Sequence, residues 1–234
     1  NTDGSINTTY TSANTTSGFS ISTVTLSGSG NQTFGHGLGV TPSLVIFKCT
    51  SHAETWKVYH SSLSSPESKY LQLDTNDGAG NASNIWGAGM TSSTVGVNVG
   101  VLGTASQDYV AYCFAEKTGF SKFGSYTGNG NADGAFIYTG FKPAFVIVKQ
   151  TNASGESWKM YDNKRPGYNL VNNWLEPDDS QAEGTGSNQI DMVSNGFKAK
   201  ATNTAMNASG STYIYMAFAE APLVGSNNVP ATAR

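Results

Sequence analysis

The chain has 234 residues, only 12% of them charged, and its formal net charge is -3. A nucleic-acid-binding surface needs a stripe of Lys and Arg, and a membrane span needs a long apolar run; the sequence has neither, so we predict no nucleic-acid partner and no membrane insertion. The low charge and the many Gly, Thr, Ser and Asn residues favour strands and turns over helices.

The first segment, residues 1–17, carries only two large apolar side chains, Ile6 and Tyr10. It cannot bury enough surface to order itself, so we predict that it is a polar connector. In the strand that follows, the apolar residues change parity between Ile21 and Val24. This change predicts a β-bulge within the strand.

Residues 44–47 are continuously apolar, which predicts a central strand covered on both faces. The two cysteines, Cys49 and Cys113, stand near the ends of strand-like segments. The sequence leaves open whether they are free thiols or bridge neighbouring strands. No second Cys or His stands at ligand spacing from them, so we predict no metal site there.

The second half of the chain repeats the first half. Three recurring features carry the duplication, at offsets of 101, 102 and 104 positions: Pro42 and Pro143, Trp56 and Trp158, and Phe114-Ala-Glu116 and Phe218-Ala-Glu220. This offset has the length of a small domain, so we predict two tandem modules at residues 18–116 and 119–220. A polar tail at residues 221–234 follows.

Each repeat contains about seven short apolar segments separated by Gly, Asn and Ser turns, without a helical period. The pattern predicts an all-β fold of two tandem antiparallel β-sandwich modules that arose by internal duplication. We describe the modules as jelly-roll-like, although an immunoglobulin-like strand order fits the sequence as well. Trp56 and Trp158 recur in the same strand context and are assigned to the two cores. Residues 145–148 are the predicted central strand of the second module.

The sequence offers little for catalysis. All three histidines fall in the first repeat, which argues against a duplicated catalytic site, and no second acid is placed beside Glu116 or Glu220. The acidic turn at residues 74–78 lacks the Glu that closes a calcium loop, so it is interpreted as a solvated turn. We therefore predict a protein that is not an enzyme and has no metal or other cofactor.

The segment at residues 162–174 differs most between the repeats and is the predicted binding loop. Its candidate ligand-binding residues offer flat apolar faces, amides and one guanidinium: Arg165, Tyr168, Asn169, Asn172 and Trp174, together with Asn173. Such groups hold sugar rings or the surface of a partner protein. A second interpretation, that Tyr168 and Trp174 cap the sandwich core, fits the sequence equally well.

Several longer motifs resemble virion proteins of tailed bacteriophages, mostly phages of aquatic bacteria. They are Gly35-His-Gly-Leu-Gly-Val-Thr-Pro42, Trp56-Lys-Val-Tyr-His-Ser-Ser62, Tyr109-Val-Ala-Tyr-Cys-Phe-Ala-Glu116, Gly119-Phe-Ser-Lys-Phe-Gly-Ser-Tyr-Thr-Gly-Asn-Gly130 and Gly210-Ser-Thr-Tyr-Ile-Tyr-Met-Ala-Phe-Ala-Glu220. These virion proteins are usually described as tail-fibre or structural proteins. The resemblance covers residues 18–234.

The resemblance implies a component of the virion surface that contacts other virion proteins. A tail-fibre or receptor-binding module would recognise a host surface glycan or another surface component. The alternatives are an architectural virion protein, such as a capsid decoration or fibre shaft, and, further off, a glycan-cleaving enzyme. Because phage fibres are commonly trimers, the resemblance also implies a homotrimer, which light scattering would test.

Overall fold

A computed structural model describes residues 1–165 and 169–220, and every regular element in this part of the chain is a β-strand. The chain forms two compact units: unit 1 comprises residues 1–73 and 79–116, and unit 2 comprises residues 74–78 and those from 117 onward. The all-β, antiparallel fold class is thereby confirmed. The predicted tail at residues 221–234 lies outside the described residues. In the described part, no helix has the length and apolar character needed to cross a membrane.

Unit 1 consists of nine antiparallel strands in two sheets. The strands are β1 (Tyr10–Asn14), β2 (Phe19–Thr25), β3 (Gly30–Gly35), β4 (Leu44–Cys49), β5 (Lys57–His60), β6 (Lys69–Gln72), β7 (Gly80–Asn81), β8 (Thr94–Val99) and β9 (Asp108–Phe114). The larger sheet has the order β1-β2-β9-β4-β5-β6-β7, and β3 pairs with β8 in a second sheet. Residues from both sheets form one buried apolar cluster.

Unit 2 has eight strands in two sheets of four. They are β10 (Ser121–Thr127), β11 (Phe136–Tyr138), β12 (Pro143–Gln150), β13 (Lys159–Asp162), β14 (Val171–Trp174), β15 (Gly184–Val193), β16 (Gly196–Ala199) and β17 (Thr212–Ala219). One sheet has the order β10-β17-β12-β13 and the other β11-β16-β15-β14. As predicted, β4 and β12, which contain residues 44–47 and 145–148, lie inside their sheets with a neighbour on each side.

Residues 1–17 do more than connect. Strand β1 pairs with β2 over five residues, from Tyr10 opposite Thr23 to Asn14 opposite Phe19. The segment is polar, as the sequence suggests, but backbone hydrogen bonds order it where apolar burial does not. The composition alone could not indicate this pairing.

The predicted bulge in β2 is absent. The strand pairs in continuous register with β9, so its side chains alternate regularly. Ser20, Ser22 and Val24 face the core, whereas Phe19 and Ile21 lie on the opposite face. The parity change in the sequence arose because small serines occupy inward positions, where they make room for the partner side chains.

The tryptophan and cysteine predictions have mixed outcomes. Trp158 is buried, but Trp56 is only half-buried and has the ammonium of Lys48 5.6 Å from its ring centroid. The assignment of Trp56 to the core was therefore wrong.

Cys49 and Cys113 are both buried free thiols, and burial raises the pKa of Cys113 to about 12. Cys113 is therefore a packed, protonated side chain at neutral pH.

Lys149 is a fully buried cation in unit 2. Its Nζ donates to the backbone oxygens of Glu156 at 2.5 Å and Asn76 at 3.1 Å. Burial lowers its pKa from 10.5 to about 8, although the carboxylates of Asp178 and Asp77 oppose the shift. The charged form is thus held by carbonyl dipoles in a site that disfavours charge.

This buried lysine predicts a pH dependence of stability. The unfolded chain binds more protons at Lys149 than the folded chain between about pH 8 and pH 10.5, so the free energy of unfolding rises with pH across that window. Relative to Lys149→Met, the unaltered protein should gain about 2 kcal/mol between about pH 7.5 and pH 9.5. Chemical denaturation at several pH values measures this difference. Parallel pH profiles for the two proteins would contradict it.

Candidate functional site

The predicted binding loop is, in its described part, a network of paired charges. Arg165 donates from Nε to Asp162 Oδ2 at 2.7 Å and also pairs with Glu183. The side chain of Asn173 donates to Glu183 Oε1 at 2.5 Å. The hydrogen bond from Arg165 holds the pKa of Glu183 below its usual value. The guanidinium is therefore engaged within the protein. Tyr168 lies outside the described residues.

Asn169 and Asn172 differ in what they contact. The side-chain amide of Asn169 accepts from Met192 N and donates to Met192 O, both at 3.0 Å. It therefore anchors its segment to the backbone of β15. Asn172 is half-buried on β14, beside the register shift between Val171 and Asn173.

Trp174 is a core residue and is 7% exposed. Its Nε1 donates to Glu176 Oε1 at 3.1 Å, and the ammonium of Lys159 lies 5.4 Å from its ring centroid. A Cβ at Gly184 would approach the ring to 2.3 Å, so this glycine makes room for it. The structure agrees with the interpretation of Trp174 as a cap of the core. The ring offers no free face to a ligand.

A sequence signal for this role was present. Tyr70-Leu-Gln72 and Trp174-Leu-Glu176 are 104 positions apart, the same offset as the closing strands. In unit 1 the ammonium of Lys57 lies 4.5 Å from the ring centroid of Tyr70 and donates to Gln72 at 2.5 Å. Each unit thus has a lysine over an aromatic ring beside a polar acceptor. A residue that recurs at the repeat offset belongs to the scaffold.

Among the described residues of unit 2, the most exposed aromatic pair lies on β11. Phe136 is 50% and Tyr138 63% exposed, whereas Ile137 between them is buried. The two rings therefore project from the same outward side of the sheet, about 7 Å apart along the strand. The sequence analysis assigned neither of them to a site.

Three residues of the neighbouring strands complete this surface. Lys198 lies opposite Phe136 and Asp191 opposite Lys198, while Gly196 lies opposite Tyr138. We call these five residues the β11 face. A Cβ at Gly196 would approach Ile137 O to 2.0 Å and the Phe136 ring to 3.1 Å. Gly196 therefore lets the ring of Phe136 lean over the sheet.

The charges at this surface are compensated. Lys198 Nζ lies 2.5 Å from Asp133 Oδ1, and Lys200 Nζ lies 3.8 Å from the same oxygen. The hydrogen bond from Lys198 lowers the pKa of Asp133, so that carboxylate stays ionised. The β11 face therefore suits an uncharged ligand that offers hydroxyl groups and apolar faces.

Asp133 itself sits in a loop with the spacing of a calcium loop. Residues 129, 131 and 133 are Asn, Asn and Asp, and Gly134 follows, a pattern that the sequence analysis did not identify. The buried side chain of Asn207 occupies the centre of this loop. Its Nδ2 donates to Asn129 Oδ1 at 2.9 Å and Asn131 O at 2.8 Å, and lies 3.0 Å from Ala201 O. The amide nitrogen of Asn207 thus contacts oxygens of the kind that would bind the cation in a calcium loop.

Unit 1 has a cleft of about 280 Å³ between residues 54–57 and the loop at residues 100–104. The carboxylate of Glu54 accepts hydrogen bonds from Tyr109 Oη and Thr104 Oγ1, each at 3.0 Å. Burial raises the pKa of Tyr109, which keeps this donor protonated. In unit 2 the hydroxyl of Thr204 likewise donates to Glu156.

These two glutamates precede the repeated tryptophans. Glu54-Thr-Trp56 and Glu156-Ser-Trp158 stand 102 positions apart, a match that the sequence analysis passed over. Because the carboxylate has the same role in both units, we interpret Glu54 as a structural anchor of its loop.

The histidines of unit 1 have local partners. Buried His36 accepts from Leu38 N at 3.2 Å, and burial lowers its pKa. His60 is also buried and accepts from Ser62 N at 3.1 Å. His52 is exposed. Within residues 1–165 and 169–220, no three His, Cys, Asp or Glu side chains are grouped so that they could hold a metal ion.

Comparison with known proteins relates the chain to a protein family. The model of a protein family described as a domain of unknown function (DUF7483) matches residues 1–222. No curated protein matches the chain, and no solved structure matches it.

Truncating a buried and an exposed aromatic residue of unit 2 should change the free energy of unfolding by very different amounts. Trp174→Ala removes a buried ring from the core and should lower the free energy of unfolding by about 3–5 kcal/mol. Tyr138→Ala removes an exposed ring and should change it by less than about 0.5 kcal/mol. Urea denaturation of both variants checks this contrast. A Trp174→Ala protein as stable as the unaltered chain would show that the ring is not a core element.

Proposed function

Since the chain belongs to the family described as a domain of unknown function (DUF7483), its role is inferred from its own residues, and we propose a non-enzymatic virion surface protein that binds a host surface glycan. The virion assignment is supported by the motifs that resemble tailed-phage proteins. The binding assignment is supported by the β11 face. The ligand-binding surface that we propose is therefore this face and not the predicted loop.

The observation that carries the proposal is the exposure of Phe136 and Tyr138 on one side of the same strand. Exposing an aromatic ring to water costs free energy, and a ligand that covers the ring removes this cost. Aromatic rings pack against the apolar faces of sugars, while neighbouring polar groups bind the hydroxyls. The β11 face supplies both kinds of group.

The repeat strengthens this interpretation. Phe34 and Ile137 occupy equivalent inward positions of β3 and β11, so Thr33 and Gly35 are the unit 1 counterparts of Phe136 and Tyr138. Thr33 is bonded to Ser5, and a Cβ at Gly35 would meet the side chain of Asn1 at 2.0 Å. In unit 1 these positions hold small residues covered by the chain itself. In unit 2 large aromatic rings replace them.

The earlier site residues keep a smaller part in the proposal. Asn172 lies on β14, at the other end of the sheet from β11. Arg165 and Asn169 are engaged by Glu183 and Met192, so we assign them to the support of the loop. Trp174 supports the sheet from the core side.

The proposal predicts that truncating the β11 rings abolishes glycan binding without unfolding the protein. The double variant Phe136→Ala, Tyr138→Ala should bind an uncharged bacterial surface polysaccharide at least about tenfold more weakly than the unaltered chain. Binding to an array of bacterial surface polysaccharides and to host cells measures this. Tyr10→Ala is the matched control, because Tyr10 is equally exposed at 62% but lies in unit 1.

Each other result has a distinct meaning. Equal binding by the double variant would show that the β11 face is not the site. If the unaltered chain binds virions but no host cell or polysaccharide, the architectural alternative is favoured. Release of reducing sugar from the polysaccharide would support the glycan-cleaving alternative.

A further inference from the structure

The rings of Phe136 and Tyr138 each lie against a glycine. A Cβ at Gly196, on the neighbouring strand β16, would approach Phe136 Cε2 to 3.1 Å. A Cβ at Gly140, two residues after Tyr138, would have the hydroxyl oxygen of Tyr138 at 3.6 Å and two carbons of its ring at 3.8 Å and 3.9 Å. Side chains of a strand normally stand roughly perpendicular to the sheet. These two rings instead lean onto the backbone, so each turns one flat face outward.

The backbone under the ring of Tyr138 is held in place by hydrogen bonds. Gly140 has a φ of 85°, in the left-handed region that favours glycine. The N–H groups of Thr139 and Gly140 donate to Asn195 O at 3.0 Å and 3.2 Å. The hydroxyl of buried Thr139 donates to Phe141 O at 2.7 Å, and Phe141 belongs to the unit 2 core. The turn after β11 therefore fixes the surface on which the ring rests.

Charged groups lie beside the rings, across the sheet. Lys198 is opposite Phe136 on β16, and Asp191 is opposite Lys198 on β15. The ammonium of Lys198 has three N–H donors and gives one of them to Asp133 Oδ1 at 2.5 Å. A flat ligand that lies on the aromatic rings would therefore meet hydrogen-bonding groups at its edge.

This arrangement distinguishes sugars by the directions of their hydroxyl groups. In β-linked glucose all ring substituents are equatorial, so both faces of the sugar carry only C–H groups and the hydroxyls point outward in the plane of the ring. In α-linked mannose the axial oxygens at carbons 1 and 2 project from opposite faces. An axial oxygen pressed against an aromatic ring loses its hydrogen bonds to water and gains no partner there.

We propose that the β11 face binds β-linked pyranoses with equatorial hydroxyl groups and rejects α-linked mannose, an inference that rests on the glycan-binding function proposed above. The C–H faces of the sugars stack on Phe136 and Tyr138, while Lys198 and Asp191 bind the hydroxyls at the edge. Because stacking needs a flat aromatic face and not only apolar volume, the two rings are the specificity-determining residues.

A matched pair of substitutions separates stacking from general apolar contact. Tyr138→Phe keeps the flat ring and should bind a β-linked glucose hexasaccharide within about threefold of the unaltered chain. Tyr138→Leu keeps an apolar side chain without a flat face and should bind it at least about tenfold more weakly. Both substitutions are at an exposed position, so the fold should be kept, which circular dichroism and thermal melting verify. Equal binding by the two variants would overturn the role of the flat ring.

The selectivity is measured by calorimetric titration of the full chain with two uncharged hexasaccharides, one of β-linked glucose and one of α-linked mannose. We expect the glucose hexasaccharide to bind at least about tenfold more tightly. Equal affinity for the two, lost in the Phe136→Ala, Tyr138→Ala variant, would overturn the selectivity and leave the glycan site in place. If neither hexasaccharide binds, the selectivity is wrong, and the polysaccharide array decides the proposed function separately. Binding of the glucose hexasaccharide that the double variant retains would place the site elsewhere and overturn both proposals.

Discussion

The structure depends on where each unit places its last strand. β9 inserts between β2 and β4, and β17 inserts between β10 and β12. These pairings join residues that lie far apart in the sequence, such as Phe19 with Phe114, and they must form together. The loss of chain entropy on closing such long loops is recovered only when the whole sheet and its core are assembled. The pairing of the last strand with earlier strands therefore fixes the ends of the loops in between.

Because this framework is duplicated, differences between the units are informative. Both units have a lysine beside an aromatic ring, a glutamate that accepts a hydrogen bond from a threonine, and a closing strand. These shared features are therefore parts of the scaffold. The strand pair β3 and β11 differs instead. In unit 1 Ser5 and Ile6 bond to Thr33 at the outer edge of β3, whereas β11 of unit 2, the last strand of its sheet in the described part of the chain, exposes two aromatic rings.

The sequence was sufficient for the all-β class, the duplication and the central strands, because these follow from patterns of apolar residues and from repeated motifs. It failed where the decisive contact is with a distant part of the chain. The change of parity in β2 predicted a bulge, yet Ser20 and Ser22 are simply small residues on the buried side of a regular strand. Trp174 stands at the repeat offset from Tyr70, but the two aromatic residues are of different types, so the correspondence is not apparent from identical residues. Phe136 and Tyr138 alternate with a buried Ile137, and the sequence alone does not indicate which of these two sides faces the core.

The Asn207 side chain at the centre of the loop at residues 129–134 has a further consequence. In calcium loops of this spacing, folding of the loop is linked to the concentration of free ion. Here a covalently supplied N–H donor takes that place, so the loop carries its own substitute for the ion. The shape of the loop that carries Asp133 therefore depends on the hydrogen bonds of a side chain and not on the concentration of a free ion.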